Sequence, residues 1–218
     1  CHIWLAVSYV MMGRNSSLFD SRPDNCGNSM EDSHTFLYFA YGSNLLKERL
    51  QLKNPSATLH CVARLKDYKL VFGNYKGLAS ERWHGGVATI ERSPGDEVWG
   101  VVWKMNESDL KSLDSQENVM LGAYSPVEIS VRTKGQELRC RTYLMNSCVY
   151  AAPSPQYLLV IVMGAEQNRL PKDYQEKLKA IKTNKYEGPL PLMVELAIMK
   201  DKNATDLEKE DIPHSVLY

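Results

Sequence analysis

Apolar and polar positions change period several times along this chain, and each change predicts an element. Phe36 to Tyr41 is an unbroken apolar, aromatic run, short enough for a buried strand, and it stops at Gly42, Ser43 and Asn44. From Leu45 the spacing is helical, with Leu45, Leu46, Arg49 and Leu50 on one face and Asn44 placed as N-cap. Strands are predicted at Leu59 to Leu65, Tyr68 to Phe72 and Gly86 to Glu91, and Asn74 to Arg82 is predicted as an exposed loop. Ser93 to Asp96 has turn chemistry and feeds a largely apolar strand, Glu97 to Met105, where Gly100 marks a bulge or a close approach. Asn106 then caps a helix running to about Met120. Val127 to Thr133 and Glu137 to Met145 alternate around Lys134, Gly135 and Gln136 as a hairpin. Tyr157 to Met163 is β-branched enough for a strand, but Ser154 and Pro155 supply N-cap and N1 signals, so a helix is predicted. Pro171 opens a last amphipathic helix carrying Tyr174, Leu178 and Ile181.

Strands outnumber helices and cluster between residues 59 and 145 with hairpin-length connections. The expected fold is α+β, a mostly antiparallel sheet, curled or closed, with helices packed against it. A length of 218 residues suits one domain with extensions. We expect the domain at 35–187 and a mobile C-terminal extension at 188–218. Residues 1–34 are expected to be disordered, or an artefactual stretch upstream of a start at Met11, Met12 or Met30. The apolar run Ile3 to Met12 is too short to span a bilayer.

Lys plus Arg and Asp plus Glu number 26 each, so no basic field draws nucleic acid or an anionic membrane. A small molecule or a protein is the expected partner. The five cysteines show neither metal-ligand spacing nor the even count of a disulfide framework, which points to a reducing compartment. No phosphate-loop, dinucleotide or nucleophile-elbow motif is present, and His84 has no metal-spaced partner, so no cofactor or metal is expected.

Two features carry candidate chemistry. A strand turning through Gly42 and Ser43 into a helix aims free N–H groups at one spot, a place for a carboxylate or an oxyanion; the alternative is an ordinary β-turn-α connection. In the helix after Asn106, Leu110 and Leu113 continue at helical spacing to Glu117, which puts a carboxylate on the inward stripe. Burial would raise its pKa and prepare it as a general base. Alternatively Glu117 pairs with a buried Arg139 or Arg141, or the helix is rotated to expose it.

The run Tyr41, Gly42, Ser43, Asn44 after its apolar strand resembles the signature loop of the γ-glutamylcyclotransferases. The resemblance continues through Trp83 to Gly86, Ser93 to Trp103, Leu113 to Glu117 and Pro153 to Tyr157, covering roughly residues 35 to 187. It implies a small closed β-barrel flanked by helices, a homodimer and a cytosolic enzyme. It also implies that Glu117 is the catalytic carboxylate and that Tyr41, Gly42, Ser43, Asn44, Tyr124, Tyr143 and Tyr157 line the substrate pocket. The implied reaction converts γ-glutamyl-amino acids to 5-oxoproline and the free amino acid. The alternatives are a sister enzyme acting on γ-glutamyl-amines or glutathione, and a catalytically silent binding module.

Overall fold

The computed structural model describes residues 34–198. The expectations for residues 1–33, and for the part of the C-terminal extension at 199–218, lie outside the described residues. Among the described residues there are six strands: β1 (Thr35–Ala40), β2 (Thr58–Tyr75), β3 (Val87–Asn106), β4 (Tyr124–Thr133), β5 (Gln136–Met145) and β6 (Cys148–Tyr150). They run in the order β3-β1-β5-β4-β2-β6, and β2 also pairs with β3. Five strands therefore close on themselves into a barrel, with β6 extending the far end of β2 from Gly73 to Tyr75. Every pairing is antiparallel except β1 with β5, which is parallel at Tyr38 and Arg141.

The two strands expected at 59–65 and 68–72 form the single strand β2, and those expected at 86–91 and 97–105 form the single strand β3. The turn chemistry at Ser93 to Asp96 is real but does not reverse the chain. Lys66 pairs with Glu97 and Tyr68 with Arg92, so the four residues between bulge out opposite Asp67 alone. Gly95 takes a left-handed φ of +87°, and its N–H donates to Asp67 Oδ1 at 3.0 Å. Gly100 meets the expected close approach: a Cβ there would fall 2.3 Å from the Ala40 carbonyl oxygen and 2.7 Å from the Phe39 ring. The hairpin at 134–135 is as expected, with both residues at positive φ.

The predicted helix to Met120 stops early. Asn106 opens a 3-10 turn (Glu107–Asp109) without a side-chain cap, and the helix proper, α2, spans Leu110–Gln116. Asn118 is the reason. Its φ is +52°, Val119 N–H donates to Asp114 O, and Asn118 N–H donates to Ser115 O, both at 3.1 Å. This is a left-handed C-terminal cap made by Asn in place of the usual Gly. Met120 and Leu121, which a longer helix would carry on the stripe of Leu110 and Leu113, are 95% and 76% exposed.

Asn44 is also not an N-cap. The chain makes a 3-10 turn (Ser43–Leu45) and then a short helix, α1 (Lys47–Gln51), preceded by Leu46. Ser154 does cap α3 (Pro155–Gln167), accepting from Tyr157 N–H, and the apolar run becomes a helix burying Tyr157, Val160 and Ile161. Capping and Pro at N1 outweigh β-propensity here. In α4 (Lys172–Lys179), Pro171 is the residue before the helix, and Tyr174 and Leu178 are buried. Beyond Glu187, Leu190 and Leu192 are buried and residues 191–198 are helical. No described helix is long and apolar enough to cross a membrane.

Candidate active site

The loop between β1 and α1 is held from three sides. Trp103, fully buried on β3, donates its indole N–H to Asn44 O at 3.0 Å. Asn168, at the end of α3, donates to Leu45 O at 2.7 Å. Inside the loop, Leu45 N–H donates to Gly42 O and Leu46 N–H to Ser43 O, at 3.0 and 3.2 Å. These bonds use the N–H groups of residues 45 and 46; among the described residues, those of Gly42, Ser43 and Asn44 have no protein acceptor. A Cβ at Gly42 would lie 3.1 Å from Ala88 Cβ and 3.6 Å from the Tyr157 hydroxyl. Glycine thus keeps the loop backbone close to both the barrel wall and α3.

The loop opens on a pocket of about 660 Å³, lined by every residue singled out from the sequence: Tyr41, Gly42, Ser43, Asn44, Glu117, Tyr124, Tyr143 and Tyr157. Glu117 stands just past the last turn of α2, placed there by the Asn118 cap. Asn44 Nδ2 donates to its Oε1 at 3.2 Å and to the Tyr38 hydroxyl at 3.1 Å. The amide freed from capping thus ties the loop to the carboxylate. Glu117 is half-buried as a residue because it faces the pocket, while its carboxyl is enclosed by protein. Burial pushes its pKa up to about 7; the Arg49 guanidinium opposes this and Asp114 adds to it.

The alternative partners for Glu117 are engaged elsewhere. Arg139 pairs with Glu128 at 2.7 Å on an exposed face, and Arg141 makes a forked pair with Asp114 at 2.8 and 2.9 Å. Asp114 also accepts from the Tyr143 hydroxyl. Tyr41 donates to the Tyr143 carbonyl, and Tyr124 donates to the Ala88 carbonyl at 2.8 Å. Tyr41, Tyr124 and Tyr143 therefore wall the pocket with their O–H groups already committed. Tyr157 differs: its oxygen accepts from Ala88 N–H at 2.9 Å, which leaves its proton free to donate. His84 is not in the pocket; it stacks on Tyr186, ring centroids 4.2 Å apart.

Among the lining residues that were not candidates are Tyr38, Arg49, Arg82 and Trp83. Arg49 is only 4% exposed. Its signal was present, a cation on the apolar stripe of Leu45, Leu46 and Leu50.

The site can do acid–base chemistry. A carboxyl that titrates near neutrality faces a cavity with free backbone donors, the arrangement needed to move a proton and steady a negative oxygen.

Comparison with known proteins agrees. A model described as the AIG2-like family matches residues 97–178. The chain is 58% identical over 178 residues to a γ-glutamylcyclotransferase of Mus musculus, covering 81% of this chain and 95% of that one. It is likewise 58% identical over 175 residues to the γ-glutamylcyclotransferase of Homo sapiens, covering 80% and 93%. A solved γ-glutamyl cyclotransferase structure superposes with a TM-score of 0.73 at 58% identity, over 77% of this chain and 99% of that one. The chain belongs to the γ-glutamylcyclotransferase family.

Proposed function

We propose that this chain is a γ-glutamylcyclotransferase that converts γ-glutamyl-amino acids to 5-oxoproline and the free amino acid, with Glu117 as its general base and acid. The observation that carries the reading is the Glu117 carboxyl, raised to about 7 and facing the same pocket as the free N–H groups of Gly42, Ser43 and Asn44. Glu117 takes a proton from the substrate's α-ammonium. The freed amine attacks the substrate's own γ-carbonyl carbon, and the carbonyl oxygen becomes an oxyanion held by the loop N–H groups. The C–N bond to the departing amine then breaks as Glu117 returns the proton to that nitrogen. The second proton of the ring nitrogen passes by way of Glu117 to the released amine, leaving a neutral lactam and an ammonium. Nucleophile and electrophile sit in one molecule, so the pocket's main work is to fold the substrate into a ring-closing shape. Tyr157, with a free O–H, is a further donor for the substrate's oxygens.

The test is incubation of the purified chain with γ-glutamyl-alanine, glutathione and a γ-glutamyl-amine, reading 5-oxoproline. Release from γ-glutamyl-alanine is expected. Release from another substrate alone would identify a sister enzyme, and release from none would identify a silent binding module.

A pH dependence follows. Glu117 serves as base only when ionised, so kcat/KM should fall about tenfold per pH unit below an apparent pKa near 7. An acid limb at or below about 4.3, the ordinary Glu value, would remove the argument from burial.

The same reading extends to assembly and compartment. We infer a homodimer, supported by the family resemblance and by the exposed apolar side chains of Met120 and Leu121. Sedimentation at micromolar concentration is expected to give twice the chain mass; a monomer would contradict it. The free thiols Cys61, Cys140 and Cys148 support a reducing, cytosolic location.

A further inference from the structure

A γ-glutamyl-amino acid carries two carboxylates, one beside the attacking amine and one on the departing amino acid. A γ-glutamyl-amine carries only the first. The pocket likewise has two places for negative charge. One is the set of N–H groups at Gly42 to Asn44, which the mechanism above gives to the oxyanion. The other is a pair of guanidiniums, Arg49 and Arg82, whose central carbons lie 5.4 and 5.6 Å from the ring centroid of Trp83; all three residues line the pocket.

Arg49 is built in without an anion. It is 4% exposed, its Nε has no hydrogen-bond partner, and among the described residues no carboxylate is paired with it. A polar neighbour is the neutral amide of Gln116, 3.0 and 3.2 Å from its terminal nitrogens when the amide oxygen is turned toward them. Arg82 has a buried, unpartnered Nε as well, and among the described residues its one paired anion is Glu195 at 3.4 Å, with both side chains partly exposed. Burial, and then the charge of Arg82, hold the Arg49 pKa below its ordinary value, the mark of a cation short of stabilising partners. A buried cation without a counter-ion is costly, and an arriving carboxylate relieves that cost. Glu117 does not fill the role: among the described residues it makes no ion pair with Arg49, and its carboxylate accepts instead from Asn44 Nδ2 at 3.2 Å. The Arg49 charge nevertheless reaches the Glu117 carboxyl, so the guanidinium adjoins the general base.

We propose that Arg49 and Arg82 form the subsite for the carboxylate of the departing amino acid, and so set a preference for γ-glutamyl-amino acids over γ-glutamyl-amines. The proposal rests on the cyclotransferase reading above. Planar guanidiniums suit it, because they grip a carboxylate with parallel N–H donors. Trp83, which both guanidiniums approach, helps to orient the two forks.

The test compares γ-glutamyl-L-alanine with γ-glutamyl-ethylamide, which has the same γ-amide but no second carboxylate. The readout is the ratio of kcat/KM for the two, from 5-oxoproline release, in the native chain and in Arg49→Met, Arg49→Lys and Arg82→Met. Melting temperature is measured on the same samples. The native chain is expected to favour the alanine compound by about 10- to 100-fold, the scale of a charge-assisted contact. Arg49→Met should bring the ratio to within a few-fold of one, mainly through KM for γ-glutamyl-alanine. Arg49→Lys should retain part of the preference, and Arg82→Met should lower it by a smaller factor. Because the ratio cancels any change in Glu117 itself, a role limited to tuning the base would lower both substrates equally. That result overturns the proposal, as does an unchanged ratio. An equal loss would also follow if Arg49 gripped the carboxylate beside the attacking amine. If Arg49→Met fails to fold, Arg82→Met carries the same ratio test, and an unchanged ratio there overturns the proposal. No 5-oxoproline from either substrate overturns the cyclotransferase reading and the subsite with it. Product formation with an arginine-insensitive ratio overturns the subsite alone.

Discussion

Replacing Glu117 with glutamine is expected to lower turnover by at least ~10²-fold, the usual scale for a lost general base, while the protein folds normally. Glutamine keeps the size of the side chain, and its oxygen can still accept from Asn44, which donates to Glu117 Oε1 at 3.2 Å. It cannot accept the ammonium proton. Substrate binding should change far less, because the N–H groups of Gly42 to Asn44 are untouched. Stability supplies a second signature, with a definite sign. The folded protein holds the Glu117 proton up to about pH 7, while the unfolded chain releases it near the ordinary value of about 4.3. Between those values the folded state binds more protons, so stability falls as pH rises and levels off above 7. Glutamine lacks this loss. The variant should therefore melt higher than the native protein at pH 8 and no higher at pH 4 to 5. A buried ion-pair partner would behave oppositely, losing stability on substitution with near-normal turnover per folded molecule. A stable, fully active Glu117→Gln protein would sink the mechanism.

The second large effect is expected on stability, at Gly100. A methyl group there would sit 2.3 Å from the Ala40 carbonyl oxygen and 2.7 Å from the Phe39 ring. Neither can withdraw: Phe39 is wholly buried, and Ala40 is the last residue of β1, paired with Val101. Gly100→Ala must push β1 and β3 apart where β1 hands over to the loop. A cost of about 3 kcal/mol is expected, toward the upper end of overpacking effects. For a domain of this size that is about a 10 °C drop in melting temperature. Activity per folded molecule should also fall, because Ala40 leads straight into Tyr41 and Gly42. An unchanged melting temperature would mean that the barrel wall is softer than its packing implies.

The fold class and part of the pocket lining, Tyr41 to Asn44 with Glu117, Tyr124, Tyr143 and Tyr157, were legible in the sequence, and for different reasons. Strand period and capping chemistry are local, so β1, the hairpin at 134–135 and α3 emerged at nearly their observed positions. What escaped was whatever a local pattern cannot distinguish. Ser93 to Asp96 reads as a chain reversal, yet the same residues can bulge from a continuous strand, and only the pairing of both flanks with β2 decides. Asn118 ends α2 by adopting left-handed backbone, which Asn does less often than Gly, so the helix was extended through it. Asn44 and Glu117 show the two sides of one error. Asn44 was expected to serve its own helix and instead binds Glu117 across the pocket. Arg49 was passed over although it breaks an apolar stripe as Glu117 does. A charged residue on a buried face was the informative signal in both helices, whichever its sign.

The position of β1 bears on how the protein is made. It is the first strand of the barrel, yet its two neighbours are β3, through residues 101–106, and β5, at Arg141. A ribosome delivers those partners late, after more than 60 residues in the first case and about 100 in the second. Until then the aromatic strand and the signature loop that follows it have nothing to pair with. Such long-range closure is slow, and the waiting strand is an open invitation to wrong partners. The loop that carries the candidate chemistry is thus among the first parts of the domain to be synthesised and among the last to acquire its shape.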